Sequence, residues 1–534
     1  MDAAQPRAQA MAIDTTSGRI LAVGDNDEVK RAGDRYAEMV DLYGKTVLPG
    51  FIDAHIHLVD AAYRAHYIDA TGCATEEAVA DLVGQRAGQT PAGQWILGGQ
   101  WDKNMWPDQR FPTKASLDAA TSQHPVALWS KDGHLLWVNS LALHRAGITA
   151  ETPEPSNGAI LRDGTGNPIG ILEEESATGL VYRVIDRRDH VLTRVLTERI
   201  LNELQRSGIT TIHDIEGKDS LLLFQQLHDE GTLGVRVQMI LPRHVLPEMR
   251  TLGLQTGFGD DMLRLGGIKI FADGTLGSQT AAMLESFENN PGNRGILTIP
   301  EQQMKETVRA AAEMGISIAI HAIGDRAARV ALDAIEQAQQ HLTDTSALGT
   351  INRPQRVGEH RRLRYRLEHV QLIAPEDLER MRRMGVIASV QPFHAVADRD
   401  IAERYWGKRH RRAYAYRTMQ QMGIPLALGS DAPVEIFDPL RILHAATTRN
   451  DTATPQRPPW LPDQALPVAQ ALWGYTLGAA YAGAEEEIKG SLSVGKLGDA
   501  VVLHEDILSV QQEKMGENGV QATILGGKVV YGEP

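Results

Sequence analysis

From about residue 195 to 450 the chain repeats one hydropathy pattern. A helical stretch closes near Gly, an apolar run of six or seven residues follows, and a polar residue ends it. The runs are Ile209–Asp214, Val235–Ile240, Gly267–Asp273, Ile316–His321, Tyr365–Val370, Val386–Gln391 and Leu426–Asp431. Stretches of helical length, such as Pro300–Met314 and Pro375–Met384, lie between them. Each opens on Pro, which a helix accommodates at its first position. Gly208-Ile209, Gly315-Ile316, Gly385-Val386 and Gly423-Ile424 suit a helix C-cap that leads into a strand.

Strands alternating with helices predict a parallel sheet. An earlier apolar run, Phe51–His57, brings the count to eight. Eight such units make an α/β protein built on a distorted (β/α)8 TIM barrel, whose chemistry gathers at the C-terminal strand ends. The gap between the first and second strands is too long for one helix, so residues 71–190 are expected to form an inserted lobe or lid. That insert holds Trp95, Trp101, Trp106, Trp129 and Trp137. Short strand patterns recur at both ends of the chain: Ala10–Asp14, Ile20–Val23 and Met39–Leu42, then Asp499–Leu503, Val520–Ile524 and Lys528–Tyr531. Neither end is large enough for its own core, so together they predict one composite β-sandwich. The expected division is 1–48 plus 485–534 for the sandwich, 49–70 plus 191–484 for the barrel and 71–190 for the lobe.

Composition changes this picture little. At 534 residues, 42% hydrophobic and 23% charged, the chain reads as a globular protein of more than one domain. A formal charge of −14 disfavours nucleic acid, which needs a basic surface. No apolar segment approaches the length of a membrane span, and the N-terminus lacks the pattern of a secretory signal. The single Cys73 excludes an intramolecular disulfide. A cytoplasmic protein with a small-molecule substrate is expected, with a homodimer as the assembly to test.

The chemistry lies where the strands end. His55 and His57, two apart on a strand, share a face and can share a metal. Random placement of 18 histidines gives about 0.6 such triplets, so the pair carries weight only through its position. Other strands deliver His321, His369 and Asp431 at their ends. Four histidines and an aspartate at barrel-strand termini point to a metal centre. Lys269 sits between isoleucines in a fifth strand, where a lysine is rare unless paired or functional. Burial lowers an amine pKa, and a neutral amine can take up carbon dioxide to become a carbamate that bridges two ions.

These motifs resemble those of the amidohydrolase superfamily, in its amidohydrolase 3 or YtcJ-like branch, which includes N-substituted formamide deformylases. The resemblance spans nearly the whole chain. It rests on Leu48-Pro49-Gly50-Phe51-Ile52-Asp53-Ala54-His55-Ile56-His57, Lys269-Ile270-Phe271-Ala272-Asp273-Gly274, His321-Ala322-Ile323-Gly324-Asp325, Leu367-Glu368-His369 and Gly429-Ser430-Asp431-Ala432-Pro433-Val434. It implies His55 and His57 on one metal, Lys269 as a carboxylated bridge, and His321 and His369 on a second. It also implies Asp431 as both ligand and general acid/base. The metal is expected to be divalent, by family pattern zinc, with one or two ions per chain.

The implied reaction is hydrolysis of a non-peptide C–N bond, an amide or N-substituted formamide, by metal-activated hydroxide. Trp101, His134, Asp273 and Gln391 are the candidates for substrate contact. Two alternatives stand beside it: an aminohydrolase, or deaminase, on the same fold, and a non-catalytic scaffold. Deaminases of this superfamily typically carry Glu three residues after the histidine of the fifth strand, where this chain has Gly324. A scaffold would be expected to have lost ligands, and none is missing. Relatives usually carry another strand before the segment matching Ala8–Ile13, so the sandwich is expected either to lack an edge strand or to begin upstream of this start.

Overall fold

A computed structural model describes residues 5–33, 37–185, 190–347 and 363–534. Positions 1–4 and 34–36 of the expected sandwich, 186–189 of the expected lobe and 348–362 of the expected barrel lie outside them. The chain divides into two compact units. The first comprises Met1–Leu58, Glu198–Asp273 and Ala281–Pro534; the second comprises Val59–Thr197 and Gly274–Thr280.

The first unit is organised by eight parallel strands: β1 Phe51–Ile56, β2 Ile209–Asp214, β3 Arg236–Pro242, β4 Leu263–Phe271, β5 Ile318–Ala322, β6 Tyr365–His369, β7 Ile387–Val390 and β8 Leu426–Leu428. Each pairs with the next in chain order. The ends meet where Asp431 N–H donates to the His55 carbonyl at 2.7 Å and His57 N–H donates to the Ala432 carbonyl at 2.8 Å. Sequential order, parallel pairing and this junction make a nearly closed barrel.

The helices between strands follow from the same sequence signals. Helix Glu301–Met314 buries Met304, Val308, Ala311 and Ala312, a stripe at helical spacing. Gly315 ends it at φ +76° and Gly385 ends Pro375–Met384 at φ +66°, a left-handed cap that favours glycine.

The apolar stretch from Thr46 to Ile56 serves two sheets. It breaks at Gly50, where a Cβ would lie 2.3 Å from the Thr210 hydroxyl oxygen. Thr46–Pro49 instead joins Ala500–Leu503, Val520–Leu525 and Lys528–Gly532 in a four-stranded antiparallel sheet. Ala10–Asp14 and Arg19–Gly24 form a separate two-stranded ribbon. Met39–Leu42 is not a strand; it is exposed irregular chain, and Thr46–Pro49 is the strand of that region. Buried Arg236 of β3 grips Asp499 at 2.7 and 2.8 Å, tying the barrel to the terminal sheet.

The second unit has its own six-stranded sheet, in the order Ile68–Asp69, Ile96–Trp101, Val126–Ser130, Leu135–Val138, Pro168–Glu173 and Ala159–Arg162. Trp101, Trp106 and Trp137 pack on one another, with ring centroids 6.0–6.4 Å apart, inside its apolar core. Among the described residues, no helix is long and apolar enough to cross a membrane.

Candidate metal centre

Six of the residues singled out in the sequence converge at the C-terminal end of the barrel. His55 is the penultimate residue of β1 and His57 follows the strand. Lys269 lies on β4, His321 on β5 and His369 at the end of β6, and Asp431 follows β8. His55 Nε2 and His57 Nε2 each lie 3.3 Å from Asp431 Oδ1. His369 Nδ1 is 3.8 Å from Asp431 Oδ2. The His369 ring stands 5.0 Å from that of His55 and 4.6 Å from that of His321. Lys269 Nζ lies 3.3 Å from His55 Nε2. Among the described residues, His55, His369 and Asp431 bring ligand atoms within 4.8 Å of one another.

Two of these positions depart from ordinary strand geometry. On regular β6, Arg366 and Glu368 share a face that His369 does not. His369 takes φ +74°, which ends the strand and turns its imidazole back toward the cluster. Asp431 takes φ +60°. Left-handed backbone at non-glycine residues is costly and gathers at functional sites.

Three imidazoles are oriented by acceptors on their far sides. His55 Nδ1–H donates to Glu368 Oε2 at 2.6 Å, His57 Nδ1–H to the Ile215 carbonyl at 2.8 Å, and His369 Nδ1–H to Gln391 Oε1 at 2.9 Å. In the neutral ring this leaves the Nε2 lone pair available to bind an ion. Burial, with the Lys269 charge, lowers the His55 pKa to about 4. Burial, with His321 nearby, holds His369 well below the ordinary histidine value. Burial opposes ionisation of Asp431, but the His55 charge and the hydrogen bond to His57 prevail and hold its carboxyl well below the usual range. A metal requires neutral imidazoles and an ionised carboxylate, and an ion seated here would take over the positive charge that Asp431 faces. A nitrogen and oxygen donor set without sulfur suits zinc and other borderline divalent ions. The residues present therefore fit a metal.

A family model described as "Amidohydrolase family" matches residues 38–531. The chain belongs to the amidohydrolase family. Protein LONG AFTER FAR-RED 3 of Arabidopsis thaliana is 31% identical over 99% of this chain and 89% of its own length. Putative amidohydrolase YtcJ of Bacillus subtilis is 28% identical over 97% of this chain and 96% of its own. N-substituted formamide deformylase of Arthrobacter pascens is 28% identical over 99% and 96%. Among solved structures, an uncharacterized metal-dependent hydrolase from Pyrococcus horikoshii superposes with a TM-score of 0.73 at 25% identity, covering 93% of each chain.

The remaining candidates of this amidohydrolase fall in different places. Gln391, after β7, holds His369 and has an Nε2 without a hydrogen-bond partner among the described residues. Asp273, after β4, accepts backbone N–H groups from Ala282, Ile323 and Gly324 at 2.8–3.1 Å, and its Oδ1 lies 3.5 Å from His321 Nε2. Trp101 and His134 belong to the second unit. Trp101 is 1% exposed and donates its indole N–H to the Leu128 carbonyl at 2.8 Å. His134 Nδ1 pairs with Glu174 Oε2 at 2.9 Å.

Three residues with a part in the site were not singled out in the sequence. Glu368 orients His55. Arg366 binds Glu368 through Nε at 2.5 Å, and also reaches the Ala54 carbonyl, Ser389 Oγ at 3.1 Å and His213 Nδ1 at 3.0 Å. The third, His394, lies beside Asp431. The available signal for the first two was Arg366-x-Glu368 on one face of a buried strand, two charges that burial requires to be paired.

Proposed function

We propose that this amidohydrolase cleaves a non-peptide C–N bond, in an amide or N-substituted formamide, with His55, His57, His321, His369 and Asp431 holding one or two zinc ions. When bound, such an ion supplies Lewis acidity and lowers the pKa of water toward neutrality. Asp431 supplies the proton traffic. Its Oδ1 faces His55 and His57, while Oδ2 lies on the other side, toward His369 and His394. Oδ2 accepts a proton from the attacking water and returns it to the leaving nitrogen. The convergence of His55, His57 and His369 on the Asp431 carboxylate is the observation that carries this reading. Names of relatives support the substrate class, one being an N-substituted formamide deformylase.

Lys269 is the proposed bridge. It is 3% exposed, and burial lowers its amine pKa to about 8, although Glu368 and Asp431 oppose the shift. Its neutral amine adds carbon dioxide, forming an N–C bond and releasing one proton, to give a carbamate with two oxygen donors. Lys269→Ala is expected to lose at least about tenfold in kcat and to regain part of it in millimolar short carboxylic acids. Full activity and tight metal binding in that variant would remove Lys269 from the bridge.

The deaminase reading meets a steric obstacle. At Gly324 a Cβ would stand 2.0 Å from the Ala282 carbonyl oxygen, and Gly324 N–H already holds Asp273 at 2.8 Å. The backbone at this position is packed for glycine, not for a glutamate. Turnover of a panel of N-acyl amines, N-substituted formamides, lactams and aminopyrimidines separates the readings. Release of amine and carboxylate from the first three classes is expected; ammonia released from aminopyrimidines alone would favour the deaminase.

A further inference from the structure

His394 sits on the short helix Pro392–Ala397, which begins two residues after β7 ends, at the end of the barrel that carries the metal centre. It is 6% exposed, and its ring lies nearly parallel to that of His369 at 5.8 Å. Its Nδ1 meets Gln371 Nε2 at 3.2 Å, an amide N–H aimed at a ring nitrogen. An imidazole that accepts at Nδ1 carries its proton on Nε2. That Nε2 makes no hydrogen bond among the described residues, and it lies 3.5 Å from Asp431 Oδ2. A donor enclosed to this degree and left unsatisfied costs stability, so its retention calls for a partner that arrives during function.

The partner follows from position. The His394 donor lies nearest Oδ2 of Asp431, whereas His55 and His57 lie nearest Oδ1. Oδ2 is the oxygen that exchanges a proton with water and leaving group in the proposed hydrolysis. A substrate whose scissile carbon is attacked beside Oδ2 brings its carbonyl oxygen within reach of a donor there.

We propose that His394 is a catalytic residue whose Nε2–H donates a hydrogen bond to the substrate's carbonyl oxygen and strengthens it as that atom becomes an oxyanion. No proton is transferred by His394: its proton stays on Nε2, while Asp431 carries the proton from water to nitrogen. Gln371 is the positioning residue that holds the donor tautomer.

This assignment rests on the hydrolase reading, and its test separates the two. In zinc-loaded protein, His394→Ala is expected to lower kcat on formanilide about 100-fold or more, with KM within about threefold and metal content unchanged. His394→Gln, which keeps an N–H donor, is expected to recover part of kcat. The tetrahedral anion methylphosphonate, titrated by calorimetry, is expected to bind His394→Ala at least about tenfold more weakly than wild type. Loss of metal from His394→Ala, or an equal loss in KM and kcat without rescue by Gln, would show a structural role and overturn the proposal. Unchanged kcat and unchanged methylphosphonate affinity would overturn it while leaving the hydrolase reading intact. A wild-type protein that cleaves no amide but loses methylphosphonate affinity on His394→Ala would keep the His394 donor and sink the hydrolase.

Discussion

Asp431→Asn is expected to lower kcat by roughly 10²–10⁴, the usual range for loss of a general acid/base, while the protein stays folded. Asparagine nearly matches the shape and keeps one oxygen to face His55 and His57. It cannot accept a proton from water at the position of Oδ2. Its backbone role also survives, because the N–H that donates to the His55 carbonyl at 2.7 Å is unchanged. The defect should therefore appear in kcat and not in the melting temperature. Steady-state kinetics and thermal unfolding of the same preparation check it; turnover at the wild-type rate would move the proton transfer to another group.

Glu368→Gln is expected to be the most damaging single change to stability near the site. Glu368 is fully buried, and burial raises its carboxyl pKa; Arg366 and His55 outweigh that and hold it well below the usual range. Removing its charge strands Arg366, itself 3% exposed, among partners that include His213 and the Ala54 carbonyl. Breaking one side of such a buried pair costs about 3–5 kcal/mol. The same change removes the carboxylate that fixes the His55 tautomer, and loss of such a partner typically weakens metal binding by about 10–100-fold. Urea unfolding of metal-free protein and zinc titration measure the two effects separately. A variant with wild-type stability and wild-type zinc affinity would show that Glu368 neither supports the barrel nor orients the ligand.

Most of the barrel was legible because its strands are buried apolar runs, four of them entered through Gly208, Gly315, Gly385 and Gly423 after a helix. Gly315 and Gly385 cap their helices in the left-handed conformation that the sequence reading required. The metal-centre candidates were legible for the same reason, since a chemistry-bearing residue at a strand end is visible in the order of the chain. Glu368 and Arg366 were quoted within or beside a motif but given no task. What they do depends on neighbours such as His55 and Ala54, more than 300 residues away in the chain. His394 escaped because its helix has only six residues, too short to register as a periodic element. Trp101, the one tryptophan of the insert offered for substrate contact, is buried with Trp137 in the core of the second unit.

The most direct measurement is the metal content of the purified protein, read by inductively coupled plasma mass spectrometry beside the activity on amide substrates. One or two transition-metal ions per chain are expected, with zinc predominant. Chelation should abolish turnover, and restored zinc should recover it. A preparation that holds no stoichiometric metal and still cleaves amides at its full rate would contradict the account.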